Sequence, residues 1–281
     1  MSTNPRSLDE IAPTQIAAYL RARGWQAADE RKSSVRWQLR TFERERSVVL
    51  VRDKDDPDYG DYVTVLLARL RDVERRDTEA ILSDMLVAGR DTLALRVAAP
   101  AIAAGEVPIA YGSELFGGVR DLIVASGRSL ADTRANFAGP TPENVMALLD
   151  RLTFGETKQG SYVLTVRTPV DQQLILDETA HSLGDERRAL ARTMEAVAAA
   201  QTAGSRLDDE DTLDESIERG LSAQLCKALG RIDPETTGVT VEFTAQWAGG
   251  LPEPKVPQKI ALHSSDFAHL RYLGETLSKL V

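Results

Sequence analysis

The sequence predicts an α+β protein, because stretches with hydrophobic residues at helical spacing are interspersed with stretches that alternate with period two. Residues 152–168 combine a short apolar run, a polar loop and a β-branched run, which is typical of a β-hairpin. We expect two domains. Residues 1–90 form a small N-terminal module with the order αββα. Residues 91–281 form a larger mixed sheet, built around that hairpin, with helices packed on one face.

The composition predicts a globular protein and excludes several classes of site. Of the 281 residues, 42% are hydrophobic and 27% charged, and the net charge of −9 argues against an obligate, non-specific nucleic-acid coat. Cys226 is the only cysteine in the sequence, so intrachain disulfides and zinc sites with several thiolates are excluded. The sequence shows neither an apolar run of membrane-spanning length nor a signal-peptide core, so we expect a cytoplasmic protein.

The N-terminal module begins with a predicted helix over residues 13–23, which Gly24 ends. Residues 35–41 alternate between apolar and polar side chains and predict a strand with one buried and one basic face. A charged turn and a second, apolar strand, Ser47–Val51, follow. An amphipathic helix is then indicated by Tyr62, Val65, Leu66, Leu70 and Val73, and another helix by the residues after Asp77.

This order of elements resembles the small double-stranded-RNA-binding-type layout, including the toxins of the HicA kind. Leu20–Trp25 and the strands after it are similar to the helix, glycine–aromatic pair and strands of those toxins. The catalytic histidine that they carry at the start of the second strand is missing, because Ser33–Arg36 stands there. RNA cleavage by that route is therefore not supported.

A basic face on the first strand gives the first candidate binding site. Lys32, Arg36, Arg40 and Arg44 are predicted to lie on its solvent side or in the flanking turns, where they contact nucleic acid or another partner. The favoured alternative is a solvated strand face whose arginines are neutralised by residues such as Glu43.

An acidic loop follows the second predicted strand, with Asp53, Asp55 and Asp58 among its carboxylates. A calcium-binding EF-hand needs glycine at the sixth position and glutamate at the twelfth, which here are Asp58 and Thr64. We therefore interpret the loop as a solvated strand-to-helix turn.

The larger domain is predicted to contain several strands and helices. Strands are expected at 91–99, within the hairpin, at 239–247 and at 259–263. Helices are expected at 113–126, after Thr141, at 184–203, from Asp208 to about Leu229, and after Ser264. Cys226 lies on the apolar side of its helix and is expected to be a small buried hydrophobe.

The hairpin loop gives a second candidate binding site, formed by Thr157, Lys158 and Ser161. Its two glycines resemble the spacing of a phosphate-binding loop, but Ser161-Tyr162 follows the second glycine and a strand continues, where that motif requires a lysine and a helix. A plain hairpin turn is the favoured interpretation, and a small-ligand sensor using this loop is a third hypothesis.

No catalytic motif emerges from the sequence. The three histidines are spaced wrongly for a zincin, and a trio such as Glu242, His263 and Asp266 arises by chance in a chain of this size. The sequence therefore predicts neither cofactor nor metal and favours a non-enzymatic bacterial cytoplasmic protein that binds a protein partner as a subunit or adaptor. The alternative is a nucleic-acid-binding or nuclease component of a toxin–antitoxin or phage-defence system.

Overall fold

The computed structural model describes residues 8, 11–40, 45–99, 102, 106–155, 162–169, 184–207, 209–235, 238–248 and 252–280. They form two compact units. The N-terminal unit contains the described residues up to Asp91 together with Pro169, Trp247, Ala248 and Pro252, and the C-terminal unit contains the others. The predicted α+β class is confirmed, since the helices accompany two antiparallel sheets. Within the described ranges, no helix combines the length and apolarity needed to cross a membrane.

The described residues of the N-terminal unit form three helices and a three-stranded antiparallel sheet in the order β1-β2-β3. Its elements are α1 (Pro13–Ala22), β1 (Gln26–Glu30), β2 (Ser34–Arg40), β3 (Glu45–Val51), α2 (Tyr59–Glu74) and α3 (Thr78–Ala88).

The strand β1 corrects the predicted αββα order, because a third strand precedes the two that the sequence indicated. Its residues, Gln-Ala-Ala-Asp-Glu, include no β-branched or aromatic side chain, so local propensity does not reveal it. Gly24, at φ +80°, turns the chain after α1, and β1 then pairs with β2 from Gln26 opposite Gln38 to Glu30 opposite Val35. Pairing with an already apolar strand, and not propensity, makes this segment a strand.

Core packing and a hydrogen bond at each end hold α2 in place. The helix buries one stripe of side chains, including Val63, Leu67 and Leu70, in the core of the unit. At its start, the hydroxyl of Tyr59 donates to the carbonyl oxygen of Ile11 at 2.8 Å, and burial raises the pKa of Tyr59 to about 12. At its other end, Glu74 accepts a hydrogen bond from the Tyr19 hydroxyl at 2.6 Å. Both ends of α2 are therefore fixed to the sequence around α1.

The C-terminal unit contains a five-stranded sheet in the order β5-β6-β4-β7-β8 and six helices among its described residues. Its strands are β4 (Arg90–Ala98), β5 (Thr153–Phe154), β6 (Tyr162–Pro169), β7 (Thr240–Gln246) and β8 (Lys259–His263). Its helices are α4 (Ile109–Ser129), α5 (Glu143–Arg151), α6 (Asp185–Gly204), α7 (Glu210–Glu218), α8 (Ala223–Ile232) and α9 (Ser264–Leu277).

The hairpin predicted in residues 152–168 is confirmed as β5–β6, with Phe154 opposite Val166, but its predicted position and the predicted mixed sheet are wrong. The hairpin lies at one side of the sheet, and β4 lies in the middle. The sheet is antiparallel: hairpin-type connections join β5 to β6 and β7 to β8, and β4 pairs antiparallel with β7, from which it is distant in sequence. Three side chains of the middle strand, Leu93, Leu95 and Val97, are fully buried.

One face of this sheet is buried under helices. The register places Leu95, Phe243 and Ile260 side by side across β4, β7 and β8, and all three are buried. The helices α6 and α9 contact this part of the sheet. The next residues along the three strands, such as Glu242 and Lys259, are half-buried or exposed.

The predicted helix from Asp208 to about Leu229 is two helices, α7 and α8. Gly220, at φ +101°, separates them, and a Cβ there would lie 3.0 Å from the Ser129 hydroxyl oxygen. Ser222 then caps α8 by accepting a hydrogen bond from the Leu225 amide at 3.2 Å. The Gly-Leu-Ser sequence therefore ends one helix and starts another.

Candidate functional site

A groove of about 600 Å³ in the N-terminal unit lies between β3 and α2. It is lined by Val48 and Val49, whose side chains point to opposite faces of the sheet, and by Ser34 and Arg36 of β2, so the groove extends from the free edge of β3 onto the outer face of the sheet. Arg36, Ser47 and Val49 line its sheet side. Tyr62, Val65 and Arg69 line its helix side. We call this site the β3–α2 groove.

The spacing of residues on α2 explains its side of the groove. Tyr62, Val65 and Arg69 follow one another at intervals of three and four residues, so they share one face of the helix. That face lies beside the buried stripe, and Leu66 belongs to both because it is buried yet lines the groove. The sheet therefore covers only part of the apolar surface that α2 presents.

The groove concentrates exposed apolar side chains. Val49 is 50% exposed, Tyr62 46% and Val65 60%. They are the three exposed large hydrophobic side chains among the described residues of the N-terminal unit, and all three line the same groove. Isolated exposed apolar residues are ordinary on protein surfaces, whereas contiguous ones mark interaction sites.

The two arginines of the groove carry charges that the rest of the described chain does not neutralise. No carboxylate among the described residues lies within ion-pair distance of the Arg36 or Arg69 guanidinium, and both side chains are exposed. Asp56 also lines the groove, and its carboxylate accepts a hydrogen bond from the Asp58 amide at 2.9 Å. The groove thus combines an apolar lining with an excess of positive charge.

The predicted basic face is divided by the structure. Arg36 lines the groove, with Asp29 opposite it on β1, and Arg40 stands opposite Glu45 at the far end of the β2–β3 pair. Lys32 is exposed in the turn between β1 and β2, and Arg44 lies outside the described residues. The interspersed acids weaken the positive potential of this face.

The second predicted site, Thr157, Lys158 and Ser161, also lies outside the described residues. The flanking residues are part of the hairpin, because the Gly155 amide donates a hydrogen bond to the Thr165 carbonyl oxygen at 2.7 Å.

The C-terminal unit has a larger cleft of about 760 Å³ between α4, α8 and α9. Four of the charged side chains that line it form ion pairs with one another. Arg231 contacts Glu114 at 2.7 Å and also Asp121, and its hydrogen bond to Glu114 raises the pKa of the guanidinium. Arg271 contacts Asp233 at 2.7 Å. These ion pairs join the helices that form the cleft walls.

Residues with catalytic potential have structural partners. Glu242 pairs with Lys259 at 2.7 Å, while Asp266 accepts a hydrogen bond from the His263 amide at 2.8 Å at the start of α9. Burial raises the pKa of Cys226 to about 12, so the thiol stays protonated and unreactive at neutral pH. No group of three or more metal-ligating side chains occurs within the described ranges, and the acidic loop instead has Asp53 accepting the Asp55 amide at 3.0 Å.

Sequence reasoning found Arg36 but missed Val49, Tyr62, Val65 and Arg69 as site residues. Tyr62 and Val65 were assigned to the buried face of α2 because both are apolar. Their positions around the helix axis could have distinguished them. Val63, Leu67 and Leu70 form one stripe that packs on the core, and Tyr62 and Val65 lie beside that stripe, not on it.

No protein-family model matches this chain, and comparison with curated proteins and with solved structures gives no match either.

Proposed function

We propose that the chain is a non-enzymatic binding or assembly protein, a subunit or adaptor that holds part of a partner protein in the β3–α2 groove. The observation that carries the proposal is the grouping of Val49, Tyr62 and Val65, all about half exposed, in one concave site. Burying such side chains releases about 1.5–3 kcal/mol for each one fully removed from water. A partner that covers all three gains from their burial.

The composition supports a bacterial source and a cytoplasmic location for this proposed function. The sequence is rich in alanine and arginine, which supports a bacterial source through GC-rich coding. Its one cysteine is buried as a free thiol, which accords with a protein that acts in the reducing cytoplasm.

A nucleic-acid-binding or nuclease component of a toxin–antitoxin or phage-defence system is the second candidate. It is favoured by Arg36 and Arg69, which line the same groove as Tyr62 and have no ion-pair partner within the described ranges, an arrangement that would suit a phosphate backbone and a stacked base. The double-stranded-RNA-binding-type layout proposed for the N-terminal module supports it as well. The valines of the groove and the acids opposite Arg36 and Arg40 argue for a protein partner.

Site-specific photo-crosslinking tests the leading proposal. A photoreactive amino acid is placed at Val65, in the groove, and at Thr64, an exposed residue of α2 that does not line it. We expect one protein to crosslink at Val65 and not at Thr64 in cells that produce the chain. The identified protein, once purified, should bind the intact chain at a defined stoichiometry, and Val65→Glu should weaken that binding by about tenfold or more. No crosslinked protein, or equal crosslinking at both positions, would overturn the proposal.

Gel-shift titration with single- and double-stranded RNA and DNA at two salt concentrations tests the second candidate. Salt-sensitive binding that is lost in Arg36→Ala/Arg69→Ala would favour it, because counterion release makes phosphate binding depend on salt. The matched control is Arg40→Ala, which removes one charge from the same strand outside the groove.

A further inference from the structure

The hydrogen-bond alternation of β3 shows which of its backbone groups point away from β2. The Arg52 amide donates to the Ser33 carbonyl oxygen at 2.9 Å, and the register is regular from Ser34 opposite Val51 to Arg40 opposite Glu45. In an antiparallel pair, bonded and non-bonded positions alternate. Val48 and Leu50 therefore bond to β2, whereas Ser47, Val49 and Val51 direct their amide and carbonyl groups toward the free edge.

Those three outward residues all line the β3–α2 groove. Each offers one donor and one acceptor that β2 does not use. Across the groove stands α2, which leaves a channel with a strand edge on one side and a helix on the other. Neighbouring strands of a sheet lie about 4.8 Å apart, so a segment paired with this edge of β3 would lie in the channel, between the strand and α2.

We propose that the groove takes an extended segment of the partner protein as an additional strand paired with β3. Its apolar side chains contact Tyr62 and Val65, and its acidic side chains meet Arg36 and Arg69. This inference rests on the proposed function and specifies the partner: a segment in which apolar and acidic residues alternate. Main-chain hydrogen bonds to the edge supply affinity, and alternate side chains supply specificity.

Charge complementarity selects an acidic segment. Among the described residues, the groove holds two guanidinium groups without an ion-pair partner and one carboxylate, that of Asp56, which accepts a hydrogen bond from a backbone amide. Arg36 belongs to β2 and Arg69 to α2, so the two guanidinium groups approach the added strand from the sheet side and from the helix side of the groove. A basic segment would be repelled by both.

A second copy of this chain is a poorer occupant. Antiparallel pairing of two β3 strands about Val49 would place Arg46 opposite Arg52, and Glu45 opposite Asp53, in both halves of the pair. Like charges directly opposite each other destabilise a strand pair.

Selection from a display library of random twelve-residue peptides on the intact protein tests the inference. We expect enrichment of peptides that alternate apolar residues with aspartate or glutamate. An enriched peptide, synthesised and labelled, is then titrated against the variants. Val49→Pro removes the outward amide and should weaken binding by about tenfold, whereas Val49→Ala keeps that amide and should weaken it less.

If Val49→Pro fails to fold, two other measurements still test whether the peptide binds in the groove as an added strand. Val65→Glu should weaken binding by about tenfold, while Thr64→Glu, with the same added charge outside the groove, should leave it unchanged. Hydrogen exchange should show that the enriched peptide slows exchange of the Ser47, Val49 and Val51 amides, whereas those of Val48 and Leu50 are already protected in the free protein.

The outcomes separate this inference from the proposed function. Enrichment of helical or basic sequences, no enrichment, or no added protection at Val49 overturns strand addition, even where crosslinking at Val65 has identified a partner. If sedimentation velocity shows a dimer of the chain, and Val49→Pro abolishes that dimer, the occupant of the groove is a second copy of the chain and not a partner segment. Binding of a labelled twelve-nucleotide single-stranded RNA, lost in Arg36→Ala/Arg69→Ala, replaces it with nucleic acid.

Discussion

The cleft of the C-terminal unit and the β3–α2 groove differ in how far their lining side chains are buried or paired with opposite charges. The cleft of the C-terminal unit is larger, about 760 Å³ against about 600 Å³ for the β3–α2 groove, but its main ion pairs are complete. The groove is smaller, yet its Val49, Tyr62 and Val65 side chains are about half exposed, and its two arginines have no counter-charge among the described residues. The comparison teaches that unsatisfied groups, and not volume, identify the better candidate site.

The comparison also concerns stability. Charges in the cleft hold helices together, so removing them should destabilise the fold. Charges in the groove have no intramolecular partner within the described ranges, so removing them should affect binding and leave the fold intact. Substitutions in the two regions therefore test the distinction directly.

The largest expected effect comes from the close helix contact that forms one wall of the cleft. A Cβ on Gly118 of α4 would lie 2.9 Å from both the Ala228 carbonyl oxygen and Ile232 Cγ1 of α8. Gly118→Val should lower the free energy of unfolding by about 3 kcal/mol, because overpacking forces the two helices apart. Denaturant unfolding measures it. The control is Gly230→Ala on α8, where a Cβ meets nothing within 4 Å and the stability should rise.

The next effect concerns the Arg271–Asp233 pair in the cleft. The Asp233 side chain is 4% exposed, while that of Arg271 is 48% exposed. Arg271→Met should cost about 2 kcal/mol of unfolding free energy, since it leaves a buried carboxylate without its cation. Chemical unfolding at pH 7 checks this. Adding Asp233→Asn should recover part of the loss, and a loss that the second substitution does not change would show that the pair is unimportant.

The pH dependence of stability should reveal Cys226, which lies in the cleft wall. Burial raises its pKa from about 9 in the unfolded chain to about 12 in the folded protein, so the folded state holds the proton more tightly. Its contribution is therefore complete below pH 9 and is lost as the pH rises from 9 toward 12, by about 1.4 kcal/mol per pH unit. Unfolding of the wild type and of Cys226→Ala is compared at pH 7 to 10.5, and parallel curves would contradict the assignment.

The smallest effect on stability is expected in the groove. Arg36→Ala and Arg69→Ala should each change the free energy of unfolding by less than about 0.5 kcal/mol, because exposed side chains without partners contribute little. Thermal unfolding measures both variants beside Arg271→Met. A loss comparable to that of Arg271→Met would show that the groove arginines serve the fold, and the contrast between the two regions would then disappear.

Much of the secondary structure followed from the sequence. The alternation in Val241, Phe243 and Ala245 predicted a strand, and all three side chains are buried on one face of the sheet. The spacing around Phe267, Leu270 and Leu273 likewise predicted the final helix. Such elements are predictable because their periodicity reflects burial directly. By contrast, β1 carries no comparable signal and forms through pairing with β2.

The site was less predictable than the elements that form it. The sequence indicates Arg36 as a candidate from its place on the polar face of β2, whereas Val49 is simply part of a predicted apolar strand and Val65 part of a predicted amphipathic helix. An apolar side chain is a signal for burial, and only the packing partner decides whether that burial is complete. The groove exists because α2 contacts β3 with one stripe and leaves the adjacent one exposed.

The sequence by itself determined the α+β class, most strands and helices, the buried thiol of Cys226 and the β5–β6 hairpin, because these depend on local periodicity, turn residues and amphipathic faces. Only the tertiary structure decided that β4, and not the hairpin, lies in the middle of the larger sheet, that Gly220 divides a helix, and that the edge of β3 faces α2 across a groove. Strand order and the gap between a strand and a helix depend on contacts between residues distant in sequence, which no local pattern encodes.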